Sequence, residues 1–355
     1  MKVPTRSPSG DPTSGLAGFL SGRQRRQFQA SLLAWYRENA RPLRIRSTRQ
    51  PWPVLVAEVM AQQTQIARVD DAWAGFLERF PTPRALAEAS PADVLRAWSG
   101  LGYNRRAVNL QRAAGVIVAE HDGRVPGRVE QLEELPGVGP YTARAVVALA
   151  FAQPVAAVDT NVRRVMSRLA GQVLTVRQLQ ATADQLVPRD DPATWTHASM
   201  ELGATLCRSR GPACDACPVS RWCASAGRAG GIEDRVGAAA EDGLLPGRPA
   251  PGGGMLPGRR VPGGGMLPGR PAPGGGMLTG RPAPGGPAFE HTTRWLRGRI
   301  VAQLRVLEDG AWARLPETIG AHGPDQIAAA TVALQQDGIL ELRADGSVRL
   351  PSFAP

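Results

Sequence analysis

No stretch of about 18 apolar residues occurs in the 355-residue chain, so no membrane-spanning helix is expected. The first 22 residues are polar and rich in Pro, Gly and Ser. They lack the apolar run of a secretory leader, and a cytoplasmic protein is expected. Cysteine is scarce: the four residues all lie between Cys207 and Cys223. In a reducing compartment such clustering points to a metal or an inorganic cluster rather than to disulfides. Convincing apolar–polar alternation is missing from Arg25 to Ala226, which argues against a sheet there.

What is present is positive charge and helical periodicity. The net charge is +11 and the isoelectric point about 10.8. That balance favours an anionic partner, a nucleic acid or an acidic membrane surface. Hydrophobic residues make up 43%, enough for a sizeable core, and the length fits two domains. The spacing predicts helices over 28–36, 54–67, 72–79, 91–98, 105–121, 129–134, 141–151, 161–170, 176–186 and 194–207. Pro and Gly, such as Pro81, Pro83, Gly123 and Pro126, mark the breaks. This portion reads as all-α.

From Leu244 an 11-residue unit repeats: LLPGRPAPGGG, MLPGRRVPGGG, MLPGRPAPGGG, MLTGRPAPGG. It is too short and too poor in apolar residues for a solenoid. The expected organisation is a disordered tail at 1–24, a helical domain at 25–228, a disordered Pro/Gly-rich linker at 229–288 and a small domain at 289–355. The last reads as helices at 293–307 and 324–336, then a hairpin turning at Asp345-Gly346. That order resembles a winged helix, a shape that serves DNA contact or the docking of a protein partner.

Four local patterns carry chemistry. In Leu135-Pro-Gly-Val-Gly-Pro-Tyr-Thr-Ala143, Gly137 and Gly139 permit a tight turn into a new helix. Such a turn is a plain connection or an anion site built of helix N-terminal amides. Asp159 precedes a helix with an apolar stripe of Val162, Val165, Met166 and Leu169, and reads first as an N-cap. Glu58 interrupts the apolar run Val54-Leu-Val-Ala-Glu-Val-Met60. It is either a satisfied core carboxyl or a desolvated acid with a raised pKa. The spacing Cys207-x6-Cys214-x2-Cys217-x5-Cys223 can wrap a [4Fe–4S] cluster, or zinc.

Taken with Val158-Asp-Thr-Asn-Val-Arg-Arg-Val165, the glycine hairpin resembles the helix–hairpin–helix DNA glycosylase superfamily, over roughly residues 28–225. The string Ala57-Glu-Val-Met-Ala-Gln-Gln-Thr-Gln65 is similar to the adenine-directed branch. The resemblance implies a two-lobed helical fold, double-stranded DNA with a mismatched or oxidised base as partner, and a target base flipped out of the stack. It implies that the cysteines hold a [4Fe–4S] cluster. By the same resemblance Asp159 stabilises positive charge on the sugar, Asn161 positions it and Glu58 protonates the departing adenine. Tyr141 stands where bifunctional relatives carry a Schiff-base lysine, so a monofunctional glycosylase is expected. Gln63 and Tyr103 fill the opened duplex; Gly137, Gly139 and Thr142 belong to the phosphate-gripping hairpin; Glu201 contacts the flipped adenine. A monomer acting at the nucleoid is expected, on adenine opposite 8-oxoguanine or guanine.

The chain departs from that family in three places. Ile45, in Leu43-Arg-Ile-Arg46, replaces a tryptophan near the base pocket. Asn104 replaces a second tyrosine after Tyr103. Residues 289–355 are too few for the nudix-like domain that reads 8-oxoguanine. These departures keep two other readings in play: a mismatch uracil or thymine glycosylase, and a non-enzymatic iron–sulfur DNA binder.

Overall fold

The computed structural model describes residues 20–226 and 288–352, which fall into two compact units. The first 19 residues and the 11-residue repeats lie outside the described residues. Among those described, no helix is long and apolar enough to cross a membrane.

The first unit combines the described residues up to Ala40 with those from Pro154 through the cysteine loop. It holds α1 (Gly22–Asn39), α9 (Thr160–Ala170), α10 (Val176–Leu186), α11 (Pro192–Thr205) and the cysteine loop. Helix α1 starts at Gly22, within the stretch expected to be disordered. Ser21 and Gln24 form a capping box that satisfies two first-turn amides. Phe28 from α1 packs at 5.9 Å from Trp195 and 5.6 Å from Trp222, tying the chain's start to α11 and to the cysteine loop. The apolar stripe foreseen on α9 is buried as read, at Val162, Val165, Met166 and Leu169.

The second unit holds the residues between, together with the C-terminal segment. Its helices are α2 (Pro51–Ala61), α3 (Ile66–Arg79), α4 (Pro83–Ala87), α5 (Pro91–Ala97), α6 (Arg105–Glu120), α7 (Val129–Glu133) and α8 (Pro140–Ala150). Helix α2 buries Trp52, Val54 to Ala57, Val59 and Met60, the all-round burial of a central helix. Each such aliphatic side chain contributes about 1.5–3 kcal/mol by leaving water.

Two expectations are corrected here. The helix expected over 54–67 stops at Ala61, and a new one begins at Ile66. Between them Gln63 adopts a left-handed φ of 57°. Pro83, read as a break, instead starts α4: it occupies a first-turn position behind the N-cap Thr82, where its missing N–H costs nothing.

The C-terminal segment packs within this second unit. Helices Thr293–Arg305 and Pro324–Gln336 lie against each other and precede a hairpin of β1 (Glu341–Leu342) and β2 (Val348–Arg349). The register is Glu341 opposite Arg349 and Leu342 opposite Val348, and Ala313 bridges to Val348 from the other side. Helix, bridge, helix and hairpin follow the order of a winged helix. Asp345-Gly346 does not form the two-residue turn its composition suggests. Gly346 at φ 83° closes a longer loop in which its N–H donates to Arg343 O. The segment is pinned to the α5–α6 region. Arg96 donates to the carbonyls of Arg305 (3.2 Å) and Leu307 (3.0 Å) and pairs with Asp309. Ala92 N–H donates to Pro351 O at 3.2 Å.

Candidate active site and cysteine loop

Asp159 caps α9, as read. Its Oδ1 accepts from Val162 N–H at 2.7 Å and its Oδ2 from Asn161 Nδ2 at 3.1 Å. Burial raises the carboxyl pKa above the ordinary aspartate value, against the pull of those hydrogen bonds and of Arg164. Arg164 completes a chain that the sequence does not disclose. It donates to Asn161 Oδ1 (2.9 Å), Gly203 O (2.7 Å) and Cys207 O (2.7 Å). A carboxylate on α9 is thereby linked, through one amide and one guanidinium, to the end of α11 and the first cysteine.

Gly203 makes this approach possible. A Cβ there would stand 2.7 Å from Asn161 Cβ and 3.1 Å from the Asn161 carbonyl carbon and oxygen. Two residues earlier, Glu201 is fully buried, which rules out a solvated surface role for it.

In the second unit Glu58 lies on α2 among Val54, Leu55, Val56, Val59 and Met60, and its Oε2 is removed from solvent. The hairpin joins α7 to α8, with Leu135 and Val138 buried beneath it and Gly137 and Gly139 exposed. Gly137 has a φ of 81°, and a Cβ there would meet Asn109 Cβ at 2.8 Å. Glycine is required at that point on both counts. Gln62 braces the turn, donating to Gly137 O and Thr142 Oγ1, each at 3.2 Å. Thr142 itself is buried and faces Gln62 rather than solvent. Tyr141 is half-buried on the first turn of α8.

Gln63 and Tyr103 share an unusual backbone. Both have positive φ, 57° and 46°, in residues that are not glycine. Such strain persists only where the surroundings enforce it. Arg106 does so. From α6 it donates to Val59 O (3.0 Å) and Met60 O (2.6 Å) at the end of α2, and to Thr64 Oγ1 (2.9 Å). It also donates to Leu101 O and Gly102 O, both at 3.1 Å. One buried guanidinium thus holds the Gln63 turn and the Tyr103 turn together, and burial lowers its pKa to about 10. Sequence reasoning missed Arg106, because all but one of its acceptors are backbone carbonyls that leave no residue signature.

The departures have visible consequences. Ile45 sits half-buried in a short turn, its N–H donating to Asp70 Oδ1 at 2.9 Å. Asn104 accepts from Arg305 Nη2 at 2.8 Å, so this replacement supplies a contact for the C-terminal segment.

The four cysteines occupy one half-buried loop. Cys207, Cys217 and Cys223 rest on the apolar core of the first unit, near Val219 and Trp222. Burial first, and then the other three thiols, push the Cys217 thiol up to about 11. Arg168, on the last turn of α9, faces this loop. It is buried, donates to Arg208 O (2.6 Å) and Ser209 O (3.1 Å), and lies 3.4 Å from Cys207 Sγ. Among the described residues, no three His, Cys, Asp or Glu side chains converge on a single-ion site. Four thiols, an apolar floor and a guanidinium at the rim fit a thiolate-ligated cluster carrying net negative charge.

Comparison with known proteins identifies the class. The family model for HhH-GPD superfamily base excision DNA repair proteins matches residues 56–200. The chain is 45% identical over 215 residues to the adenine DNA glycosylase of Mycolicibacterium smegmatis, covering 58% of this chain and 72% of that protein. It is 47% identical over 201 residues to that of Mycobacterium tuberculosis, covering 55% and 66%. Among solved structures, a thermostable thymine-DNA glycosylase aligns with a TM-score of 0.54 at 28% identity, over 57% of this chain and 96% of that one. A trapped endonuclease III–DNA covalent intermediate aligns with a TM-score of 0.51 at 27% identity, over 58% and 97%. The chain belongs to the adenine DNA glycosylases of the HhH-GPD superfamily. Its activity is accordingly that of an adenine-directed DNA N-glycosylase in base excision repair, with DNA as its partner.

Proposed function

We propose that the protein removes adenine mispaired with 8-oxoguanine or guanine by a monofunctional hydrolytic route. The observation that carries this reading is Asp159. It is a half-buried carboxylate held by a backbone amide, by Asn161 and, through Asn161, by Arg164. A fixed anion lowers the barrier to a reaction in which positive charge builds on the sugar. Glu58, set in an apolar helix, is suited to hand a proton to a ring nitrogen of the adenine as the glycosidic bond breaks. Water then takes the base's place on the sugar. Tyr141 offers a phenol where imine chemistry would need an amine, so strand cleavage is not part of the reaction.

Around this chemistry, Gln63 and Tyr103 enter the opened duplex and Glu201 contacts the extruded base. The hairpin at Gly137 and Gly139 binds a phosphate on its amides, with Thr142 supporting it from beneath. Cys207, Cys214, Cys217 and Cys223 hold a [4Fe–4S] cluster, whose part is to shape the loop that carries the exposed Arg208 and Arg221. The gathering of four free, half-buried thiols in one loop over an apolar core supports this assignment.

The test is incubation with duplexes carrying adenine opposite 8-oxoguanine or guanine, and uracil or thymine opposite guanine, followed by alkali. Cleavage on the adenine strand, falling by at least about 10²–10³ in Asp159→Asn, is expected. Adenine release undiminished in Glu58→Gln would sink the proposed acid. Release of uracil or thymine alone would transfer the scaffold to mismatch repair of pyrimidines.

A further inference from the structure

Arg294 lies on the first turn of helix Thr293–Arg305, and no part of the chemistry above uses it. It is exposed, and its guanidinium carbon lies 4.1 Å from the centroid of the Tyr103 ring and 5.9 Å from that of Phe289. Phe289 is among the few large apolar side chains left in water, 56% exposed. The arrangement is aromatic, cation, aromatic, with the cation against Tyr103.

Several other arginines of this unit have carboxylate partners. Arg96 pairs with Asp309, while Arg105 and Arg297 both pair with Asp337. Among the described residues, no carboxylate pairs with Arg294, whose contacts are with the two rings. A guanidinium lying on a ring keeps its edge N–H groups available to an anion, and it loses little freedom on binding because stacking already orders it. Tyr103 also lies 5.6 Å from the buried Arg106, whose guanidinium feels the charge of Arg294. Two positive charges therefore act at one exposed turn. The placement is built in: the Arg305–Asn104 hydrogen bond and the Arg96 contacts fix this helix to the Tyr103 turn.

We propose that the C-terminal segment is a DNA-contact element of the enzyme. Arg294, seated on Tyr103, donates to a duplex phosphate beside the point where Tyr103 enters the stack, and Phe289 offers a second stacking face. This rests on the reading of Tyr103 as the residue that enters the duplex.

The experiment uses the full-length protein and a duplex with an A·G mismatch. Affinity is measured by fluorescence anisotropy between 50 and 200 mM salt, beside the single-turnover rate of adenine release. Losing one phosphate contact should reduce the slope of log K against log salt by about 0.9 in Arg294→Ala. A charge-assisted hydrogen bond lost should weaken binding roughly ten-fold or more. Arg294→Lys should keep the slope but bind less tightly than wild type, since an ammonium does not stack as a guanidinium does. Phe289→Ala should weaken binding by about five-fold or more with the slope unchanged. The proposal is overturned by a wild-type slope in Arg294→Ala. Tighter binding or faster release in that variant would equally overturn it, since Arg294 would then be a cover on Tyr103. The two readings fail separately. A reduced slope in Arg294→Ala, in a protein that releases no adenine, would sink the proposed reaction and leave the contact standing.

Discussion

Asn161 holds Asp159 in place with one half of its amide and spends the other half on Arg164. Its Nδ2 donates to Asp159 Oδ2 at 3.1 Å and its Oδ1 accepts from Arg164 Nη2 at 2.9 Å. The carboxylate thus keeps a donor that favours its charged form, although burial wins and its pKa stays raised. As the pH falls through that raised value, Asp159 takes up a proton and can no longer stabilise a cation. Asn161→Ala removes a donor to the charged form, so the pKa must rise further. The acid limb of the single-turnover rate is expected to move to higher pH, with the rate closer to wild type on the alkaline side. A limb that stays in place or moves toward acid would remove Asn161 from the role assigned to it.

Gly203→Ala tests the same arrangement from α11. The added methyl would press on the Cβ and main chain of Asn161, not on the tip of a flexible side chain. The start of α9 must therefore shift. A loss of about 1–3 kcal/mol in stability is expected. Displacing Asp159 should also cost roughly ten- to a hundred-fold in the excision step. Denaturant unfolding and single-turnover kinetics on the same sample separate the two effects. Wild-type kinetics in a destabilised variant would show that the spacing serves packing alone.

Much of the first unit was legible because its signals are local. Asp159 precedes an apolar stripe and caps its helix, and α10 spans the residues its periodicity gave. The break after Ala61 was not legible. No Gly or Pro marks it, and an apolar run continues to it; the carbonyls of Val59 and Met60 are taken by Arg106, 47 and 46 residues away. Nor could the sequence show that Asn104 meets Arg305 across 201 residues. Separations of 39 and 43 residues likewise hid the link from Arg164 to Gly203 and Cys207, since main-chain acceptors carry no side-chain signature.

Arg106 gives the clearest test of that long-range design. In Arg106→Met, carbonyls at the end of α2 lose a charged donor, at a cost of about 1–3 kcal/mol. Gln63 and Tyr103 would lose what enforces their left-handed backbone. Binding to an A·G duplex is expected to fall several-fold more than binding to a fully paired one, because in the proposed reaction only the mismatch calls on both turns. Arg106→Lys should not rescue it: one ammonium has three donors and cannot span acceptors spread over two turns. Competition binding with the two duplexes measures the ratio, and an unchanged ratio would confine Arg106 to stability.

The absence of an amine at position 141 makes the last prediction a gain of chemistry. Tyr141 is half-buried on the first turn of α8, beside Thr142 and directly after the glycine hairpin. A lysine there could attack C1′ of the sugar and displace the base; the C1′–O4′ bond then opens, a proton passes from the amine to O4′, and an imine is left at C1′, which borohydride would reduce to a stable amine. Wild type incubated with an adenine-mismatch duplex and borohydride should give no covalent complex. Tyr141→Lys should give one, visible as a shifted band on a denaturing gel, and should lose it again in the Tyr141→Lys, Asp159→Asn double variant. A trapped complex in wild type would mean that another amine of this chain reaches the sugar, and the enzyme would then be bifunctional.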